Sequence, residues 1–237
     1  MSPGDRIAGT ASVTLVVPTL NAVRGDSAWP GHLVAGARAA GVAEIVVTDG
    51  GSTDATCRIA REQGARVLAS PRGRGPQLAA GARAADSPWL LFLHADTRLQ
   101  PGWESAVAAH MADPANRHVA GVFRLAFDAD SPAARRTAAL ANWRTRRLGL
   151  PYGDQGLLIS RDLYDAVGGY PEIPLMEDVA MARRLGRRRI RMLNGTAVTS
   201  ADKYRRDGWW RRSARNLTLL SLYFLGVPPE RLARLYR

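Results

Sequence analysis

Short apolar runs alternate with helix-compatible stretches along the first half of the chain. Residues 13–17 (VTLVV) and 44–48 (EIVVT) are β-branched apolar runs, which is typical of strands buried on both faces. Residues 65–70 (ARVLAS) and 89–96 (WLLFLHAD) are predicted as the third and fourth strands. Strands that alternate with helices at this spacing predict βαβ units with right-handed crossovers around a mostly parallel sheet.

Helices are predicted between these strands. One stretch ends near residue 40, a second covers residues 53–63 with Ser52 or Thr53 as its N-cap, and a third covers residues 76–85. These segments complete the alternation expected of an α/β domain.

The second half of the chain is less regular. Residues 118–128 alternate like an edge or antiparallel strand, residues 133–148 favour a helix, and residues 155–161 favour another strand. Residues 168–174 are rich in glycine and proline, which indicates a turn. Neither a repeat nor a low-complexity linker interrupts the chain, so we predict one α/β domain over residues 12–237 after a flexible N-terminus at residues 1–11.

Polar residues follow each of the four predicted strands. Ligands of open α/β sheets bind at the carboxyl ends of the strands, near a topological switch point. We therefore expect these side chains to meet at one edge of the sheet. They are Pro18, Thr19 and Asn21 after the first strand, Asp49 and Gly51 after the second, Arg72 and Arg74 after the third, and His94 and Asp96 at the end of the fourth.

The second and third clusters favour nucleotide and anion binding. Asp49 precedes two glycines, so it either accepts hydrogen bonds from a base or ribose or forms part of a tight βα turn. Arg72 and Arg74 lie among glycines before a helix, where an anion binds readily. Neither the phosphate-binding loop motif nor the dinucleotide-binding glycine fingerprint is present in the sequence.

Carboxylates further along the chain suggest a cation site and a base. Asp96 follows an apolar strand and could either bind a hard cation or cap a helix. His94 could be a second ligand of the cation, donate a hydrogen bond to a phosphate, or have a purely structural role. Glu177 and Asp178 open the helix-compatible stretch after the turn, where acids often complement the helix dipole. One of them could instead deprotonate a hydroxyl group.

Composition narrows the class of protein further. Cys57 is the single cysteine among 237 residues, which excludes an internal disulfide framework and a cysteine-based zinc site. The apolar stretch at residues 217–227 is about half the roughly 20 residues needed to span a bilayer, and residues 13–17 do not resemble a signal peptide. We expect a reducing, cytoplasmic location.

The positive charge is concentrated near the C-terminus. Residues 1–182 carry equal numbers of basic and acidic side chains, whereas residues 183–237 contain the entire net charge of +12. Such a segment attracts polyanions, including nucleic acid, anionic lipid and phosphorylated ligands. Three interpretations stay open: a helix packed on the domain or in a homodimer, an interfacial helix on anionic lipid, or a diphosphate site at Lys203, Arg205 and Arg206.

The motifs together carry a family resemblance over nearly the whole chain. In order they are VVPTLN, DGGSTDAT, PRGRG, LFLHADTRL, GDQGLLISR and LMEDVAMARRL. The chain resembles the family-2 nucleotide-sugar glycosyltransferases with a GT-A fold, and within them a short bacterial subgroup named as arsenosugar-type or radical-SAM-associated transferases. The resemblance implies a nucleotide-binding half to about residue 100, an acceptor half to about residue 200 and a helical C-terminal segment.

The resemblance also implies roles for individual residues. Asp178 would be the general base of an inverting displacement, and Asp96 would bind Mg²⁺ or Mn²⁺. The first acid of the family's Asp-x-Asp motif is His94 here, and the acid that often follows the asparagine of the first motif is Ala22. The remaining implied sites are Pro18, Thr19, Asn21, Asp49, Gly51, Arg74 and His94 for the nucleotide-sugar donor, and Gly153, Asp154, Gln155 and Glu177 for the acceptor or the sugar.

Two other classes of function remain as alternatives. A Rossmann-type oxidoreductase fits the predicted fold but lacks the glycine fingerprint. A nucleic-acid-binding module fits Tyr204, Trp209 and Trp210 among arginines, since aromatic side chains stack on bases. The acid-lined edge of the predicted sheet argues against a polyanion there. For a glycosyltransferase, the predicted partners are a nucleotide-sugar, a small-molecule or lipid hydroxyl acceptor and an anionic membrane surface.

Overall fold

The apolar β-branched runs form the central strands of the protein, as their pattern predicted. The computed structural model describes residues 12–23, 34, 36–38 and 40–236, so the predicted flexible segment at residues 1–11 lies outside the described residues. The described strands are β1 (Val13–Thr19), β2 (Glu44–Asp49), β3 (Arg66–Ala69), β4 (Trp89–Phe92), β5 (Thr97–Leu99), β6 (Ala120–Phe127), β7 (Leu157–Ser160) and β8 (Ile190–Thr199).

Helices connect and cover these strands. The helix predicted to end near residue 40 is described only in part, with helical backbone at residues 34 and 36–38. The described helices are α1 (Thr56–Glu62), α2 (Arg74–Ala84), α3 (Trp103–Ala112), α4 (Pro132–Leu148), α5 (Arg161–Ala166), α6 (Glu177–Leu185), α7 (Asp202–Asp207), α8 (Trp209–Phe224) and α9 (Pro229–Tyr236).

One mixed sheet organises the whole domain. Its strand order is β3-β2-β1-β4-β7-β6-β8-β5. Within the described sheet, β1 to β4 run parallel, as do β6 and β8, whereas β7 and β5 pair antiparallel with their neighbours. The predicted single α/β domain with a mostly parallel sheet is therefore confirmed, and the carboxyl ends of the first four strands meet at one edge.

The strand β1 is buried on both faces, and successive side chains enter different layers. Val13, Leu15 and Val17 pack into a cluster on one face of the sheet, whereas Val16 packs on the other face against helix α2, including Leu78. Alternate side chains of a strand point to opposite faces, so a continuous apolar run needs a layer of helices on each side.

Two strand predictions need correction. The fourth strand ends at Phe92, so His94 and Asp96 lie in the following turn rather than within a strand that ends at residue 96. The strand predicted at residues 118–128 is β6; it pairs antiparallel with β7, as one of the two alternatives predicted, but it lies inside the sheet, so the edge alternative is wrong. The alternation arose from the exposed Arg124 among buried apolar side chains.

Strands β5 and β8 were not predicted from the sequence. Strand β5 has three residues, which is too short for a periodic pattern. Strand β8 contains Asn194 and Gly195, a pair that normally marks a turn. Here the pair lies in an irregularity opposite β6, and a side-chain carbon at Gly195 would lie 3.0 Å from the ring of Phe123.

The basic C-terminal segment folds onto the domain. Leu219 and Leu220 of α8 and Leu232 of α9 are buried in a third cluster with Leu175 and Val179. This packing confirms the predicted helical C-terminal segment. None of the helices in the described part of the chain is both long enough and apolar enough to cross a membrane.

The close contact between α2 and β1 leads to a test of the packing. A methyl group at Gly81 would lie 2.3 Å from Val16 Cγ1, whereas one at Gly36 would have no atom within 4 Å. Overpacking costs about 1–3 kcal/mol and alanine gains about 0.5–1 kcal/mol of helix propensity. Gly81→Ala should therefore lower the free energy of unfolding by about 1–2 kcal/mol in urea titrations.

Gly36→Ala is the matched control for this substitution. It should leave the stability unchanged or raise it by up to about 1 kcal/mol, because glycine costs backbone entropy in a helix. Equal effects at the two positions would contradict the packing argument.

Candidate active site

The ends of β1 and β2 form a hydrogen-bonded pair of loops. The parallel register places Thr19 beside Asp49, and the Thr19 hydroxyl donates a hydrogen bond of 3.0 Å to the Asp49 carboxylate. The same carboxylate accepts hydrogen bonds from the backbone N–H groups of Gly51 and Ser52, at 2.9 and 2.7 Å, and from the Ser52 hydroxyl. Asp49 therefore organises this loop in addition to closing the strand.

These hydrogen bonds control the ionisation of Asp49. Burial alone would raise its pKa, but the hydrogen bonds from Ser52, Gly51 and Thr19 outweigh burial and lower the pKa below its usual range. The side chain consequently stays ionised although it is buried.

Asn21 joins the two loops from the β1 side. Its backbone N–H donates to the Ser52 hydroxyl, and its side-chain oxygen accepts a hydrogen bond of 2.8 Å from the Thr53 N–H. Asn21 is exposed and adopts a left-handed conformation, with φ of 47°. The predicted donor residues Pro18, Thr19, Asn21, Asp49 and Gly51 thus lie together at this edge of the sheet.

An ion pair links the first turn of α2 to the first turn of α6. Arg74 Nε lies 2.9 Å from Glu177 Oε1, and the Glu177 side chain is completely buried. The Glu177 charge raises the pKa of Arg74 against the opposing effect of burial, while burial raises the pKa of Glu177 against the effect of Arg74. The described structure leaves Glu177 no exposed surface, and its contact with the acceptor or the sugar stays a prediction.

Three side chains form a candidate metal site. Ligand atoms of His94, Asp96 and Asp154 lie within 4.8 Å of one another. The Nδ1 atom of His94 lies 2.9 Å from Asp154 Oδ1, and Lys203 Nζ lies 3.0 Å from Asp96 Oδ2. Burial alone would raise the pKa of Asp154, but the contact with His94 and the positive charges of Lys203 and Arg74 hold it well below its usual range.

A short 3-10 turn at Gly153–Gln155 joins this cluster to Asp178. The backbone N–H of Gly153 donates a hydrogen bond of 3.0 Å to Asp178 Oδ2, and the next residue is Asp154 of the cluster. A side-chain carbon at Gly153 would lie 2.1 Å from His94 Nε2, so only glycine allows this approach. The turn therefore sets the distance between the predicted base and the candidate metal site.

These groups line one open cleft. The predicted site residues in its wall are Arg74, His94, Asp96, Asp154, Asp178 and Lys203.

Several residues of the cleft wall were not predicted from the sequence. Tyr152, Tyr204 and Tyr236 add aromatic rings, and Arg212 adds a buried guanidinium group that binds Asp207 and the Tyr236 hydroxyl. The positions of Tyr204, Tyr236 and Arg212 depend on how α7, α8 and α9 return to the sheet, which no local pattern encodes. For these three residues, the signal in the sequence was the interleaving of aromatic and arginine side chains in the basic segment. Tyr152 lies beside the turn at Gly153–Gln155.

Three other predicted site residues lie away from the cleft. Gln155 is fully buried, and its amide binds the Thr145 hydroxyl and the Phe123 carbonyl, so it supports the turn. Arg205 pairs with Asp128 and Asp202, and Arg206 pairs with Asp207. Neither arginine lines the cleft, because their own helix supplies nearer carboxylates.

Comparison with known proteins shows which class this fold and site belong to. Residues 14–170 match the family described as Glycosyl transferase family 2. The chain is also 32% identical over 176 residues to uncharacterized glycosyltransferases of Mycobacterium tuberculosis and Mycobacterium bovis, a match covering 70% of this chain and 77% of theirs. This chain belongs to glycosyltransferase family 2.

Solved structures share the fold. Glucosyl-3-phosphoglycerate synthase from Mycobacterium tuberculosis, in complex with Mn²⁺, UDP and glucosyl-3-phosphoglycerate, is 19% identical with a TM-score of 0.53 over 84% of this chain and 75% of its own. A mannosyltransferase from Pyrobaculum calidifontis, in complex with GDP-Man and Mn²⁺, is 18% identical with a TM-score of 0.58 over 94% of this chain and 67% of its own. The family favours the glycosyltransferase prediction over the oxidoreductase and nucleic-acid-binding alternatives.

The hydrogen bonds of Asp49 lead to a pH-dependent prediction. Asp49→Asn would turn an amide nitrogen toward N–H donors and should destabilise the protein by about 1–3 kcal/mol at neutral pH. Folding lowers the pKa of the Asp49 carboxyl group, so its ionised form stabilises the folded state at pH values above about 3.9, the pKa in the unfolded chain. This stabilisation disappears as the pH falls through the lower pKa that the group has in the folded state. The difference between wild type and variant should therefore shrink below about pH 4.

Urea titrations from neutral to acidic pH measure this difference. Glu62→Gln, which removes an exposed carboxylate on α1, is the control and should show little effect at any pH. A difference between wild type and Asp49→Asn that does not change with pH would contradict the role given to the ionised carboxylate.

Proposed function

We propose that this protein transfers a sugar from a nucleotide-diphosphate donor to an acceptor hydroxyl with inversion at the anomeric carbon. The observation that carries the proposal is the single cleft in which the His94–Asp96–Asp154 cluster, Arg74 and Asp178 meet. A transfer of this kind needs stabilisation of a leaving diphosphate and a base for the attacking hydroxyl. Both kinds of group are present at one sheet edge.

The candidate metal site fits Mg²⁺ or Mn²⁺. Both ions prefer oxygen ligands, and Asp96 and Asp154 would supply carboxylate oxygens. His94 would orient Asp154 through Nδ1, because its Nε2 atom is buried against Gly153 without a hydrogen-bond partner. When bound, the ion would stabilise negative charge on the diphosphate of the donor.

Two cations of the protein would also contact the donor diphosphate. Arg74 lies in the first turn of α2, where the helix dipole adds to its positive charge. Lys203 neutralises Asp96 in the described structure, so a divalent ion at Asp96 would release its ammonium group for the phosphate oxygens. The base and ribose would lie at the ends of β1 and β2, near Asn21 and Asp49.

Asp178 is the proposed general base. Its Oδ2 atom is held by Gly153 and its Oδ1 atom by the Val179 N–H, which fixes the carboxylate at the wall of the cleft. An ionised carboxylate has further lone pairs, so it can accept the proton of an acceptor hydroxyl as that oxygen attacks the anomeric carbon. Gly153 and Asp154 would lie beside the sugar.

Several finer predictions accompany this proposal. They are the arsenosugar-type subgroup, a small-molecule or lipid acceptor, a cytoplasmic location, and a homodimer or membrane association. A thermal-shift screen of nucleotide-sugars with Mn²⁺ would identify the donor, because a ligand that binds the folded state raises the melting temperature.

Metal binding provides the first test of the site. Asp96→Ala should abolish Mn²⁺ binding and Mn²⁺-dependent donor binding in calorimetry, because it removes a carboxylate ligand. His94→Asn should weaken Mn²⁺ binding by about 10–100-fold, as expected for a residue that orients a ligand. Lys203→Met should strengthen binding of Mn²⁺ alone, because it removes a competing cation from Asp96.

The exposed Arg206 offers a control for Lys203. Arg206→Met removes a positive charge outside the cleft and should leave Mn²⁺ affinity unchanged. Normal donor affinity of Asp96→Ala in the presence of Mn²⁺ would overturn the proposed metal site.

Turnover tests the proposed base. Asp178→Asn should reduce turnover by about 10²–10⁴-fold, the usual contribution of general-base catalysis, while donor binding stays near wild type. The melting temperature should fall, because the new amide nitrogen would face one of the two backbone N–H groups that donate to the carboxylate. Asp162→Asn, an exposed position on α5, should retain full activity. Release of the nucleoside diphosphate measures the rate, and proton NMR of the product should show the anomeric configuration opposite to that of the donor.

A variant Asp178→Asn with unchanged turnover would remove this residue from the role of base. A product with retained configuration would contradict the inverting displacement even if Asp178 proved essential.

A further inference from the structure

Helix α8 carries apolar side chains on the face that packs against the domain and also on the opposite, outer face. Its inner face buries Leu219 and Leu220 against the domain. Its outer face carries Trp210, Leu217 and Phe224, whose exposed fractions are 85%, 63% and 48%. Large apolar side chains in such numbers on an outer surface usually indicate an interaction site.

The outer apolar side chains lie in one row along the helix, and the exposed Ser221 is a polar member of the same row. Trp210, Leu217 and Phe224 are spaced seven residues apart, so they lie nearly on one line along the helix. Ala214, between the first two, is also exposed, and Leu225 extends the stripe at its end with 80% exposure. We call these five apolar residues the outer stripe of α8. No segment within the described parts of the chain covers it.

Positive charge flanks the outer stripe. Arg211 follows Trp210 and is exposed, and the Arg183 guanidinium lies 5.3 Å from the ring centroid of Phe224. Arg231 and Arg234 are exposed on the neighbouring helix α9, next to Leu235, which is itself 61% exposed. The stripe therefore combines tryptophan, leucine and phenylalanine with a basic border.

We propose that the outer stripe of α8 binds the surface of a membrane that contains anionic lipid. Helices that lie in the lipid interface carry tryptophan, phenylalanine and leucine on one side and arginine at its margins. Anionic head groups attract the arginines, and the apolar side chains enter the boundary of the acyl chains. This inference goes beyond sugar transfer and does not depend on it.

A second copy of the chain fits this surface less well. A twofold interface places the same patch on both partners, so the arginines around the two stripes would face one another. The whole excess of +12 lies in residues 183–237, which include this helix. Repulsion between like charges opposes such a dimer, whereas an anionic bilayer attracts the same surface.

The position of α8 connects this surface to the cleft. The inner side of the same helix contributes Arg212, Asn216 and Leu219 to the cleft wall. One helix diameter, about 10–12 Å, therefore separates the cleft from the proposed membrane contact. Binding through the stripe would bring the cleft close to the lipid surface.

Vesicle flotation with the full chain, without donor or metal, tests the proposal. The protein should float with vesicles of phosphatidylcholine mixed with phosphatidylglycerol and bind pure phosphatidylcholine weakly. The triple variant Trp210→Ser, Leu217→Ser, Phe224→Ser should bind the mixed vesicles at least about tenfold less, because each substitution removes a large apolar side chain from the lipid contact. The substituted positions are exposed, so the melting temperature should stay near that of wild type.

Matched arginine variants test the electrostatic part. Arg211→Gln should reduce binding to the mixed vesicles by about fivefold, because the attraction of one basic residue to an anionic surface changes the membrane affinity by about that factor. Arg58→Gln changes the charge equally on α1, beside β3 at the opposite end of the sheet, and should have little effect.

Three results would overturn the proposal. They are failure of the wild-type protein to float with mixed vesicles, equal flotation of the triple variant, and a lipid-free dimer in light scattering that the triple variant dissociates. The last result would identify a second copy of the chain as the occupant. Because the assay contains no donor, its failure is distinguishable from failure of the proposed sugar transfer.

Discussion

The ion pair between Arg74 and Glu177 is the interaction on which the arrangement of the site depends. Glu177 is fully buried, and a buried carboxylate without a cation would be very costly. Arg74 supplies that cation from the first turn of α2, at the edge where the parallel strands end, and Glu177 begins α6. The pair thus joins the two halves of the domain. It also fixes Asp178, the next residue, at the cleft.

The same rule of charge compensation extends through the cleft. Asp154 lies against His94, and Asp96 pairs with Lys203. Each carboxylate therefore has a partner in the absence of ligand. Binding of a divalent ion and a diphosphate would exchange these partners without leaving a charge unpaired. In this way the folded protein holds several acids close together at little electrostatic cost.

Much of the site could be predicted because parallel strands end at a common edge. Thr19 and Asp49 are 30 residues apart, yet the parallel register of β1 and β2 places them in direct contact. The same logic gathered Arg74, His94 and Asp96. The roles of Asp154 and Gln155 came from the family resemblance instead, and the structure separates these two neighbours: in the 3-10 turn, Asp154 faces the cleft and Gln155 faces the core. Sequence spacing alone does not distinguish these directions.

The pattern of apolar and polar residues was sufficient to predict the α/β class, the four parallel strands and the polar residues at their ends. Strands that are buried on two faces need apolar runs, and the turns that follow them need polar residues. It was also sufficient to predict a basic helical segment at the C-terminus. Tertiary structure decided the rest. Strand β6 entered the sheet between an antiparallel and a parallel neighbour, α8 turned Arg212 into the cleft, and Trp210 was left on the outside. These outcomes depend on contacts between segments far apart in sequence, and a helix with two apolar faces does not reveal which face the domain will bury.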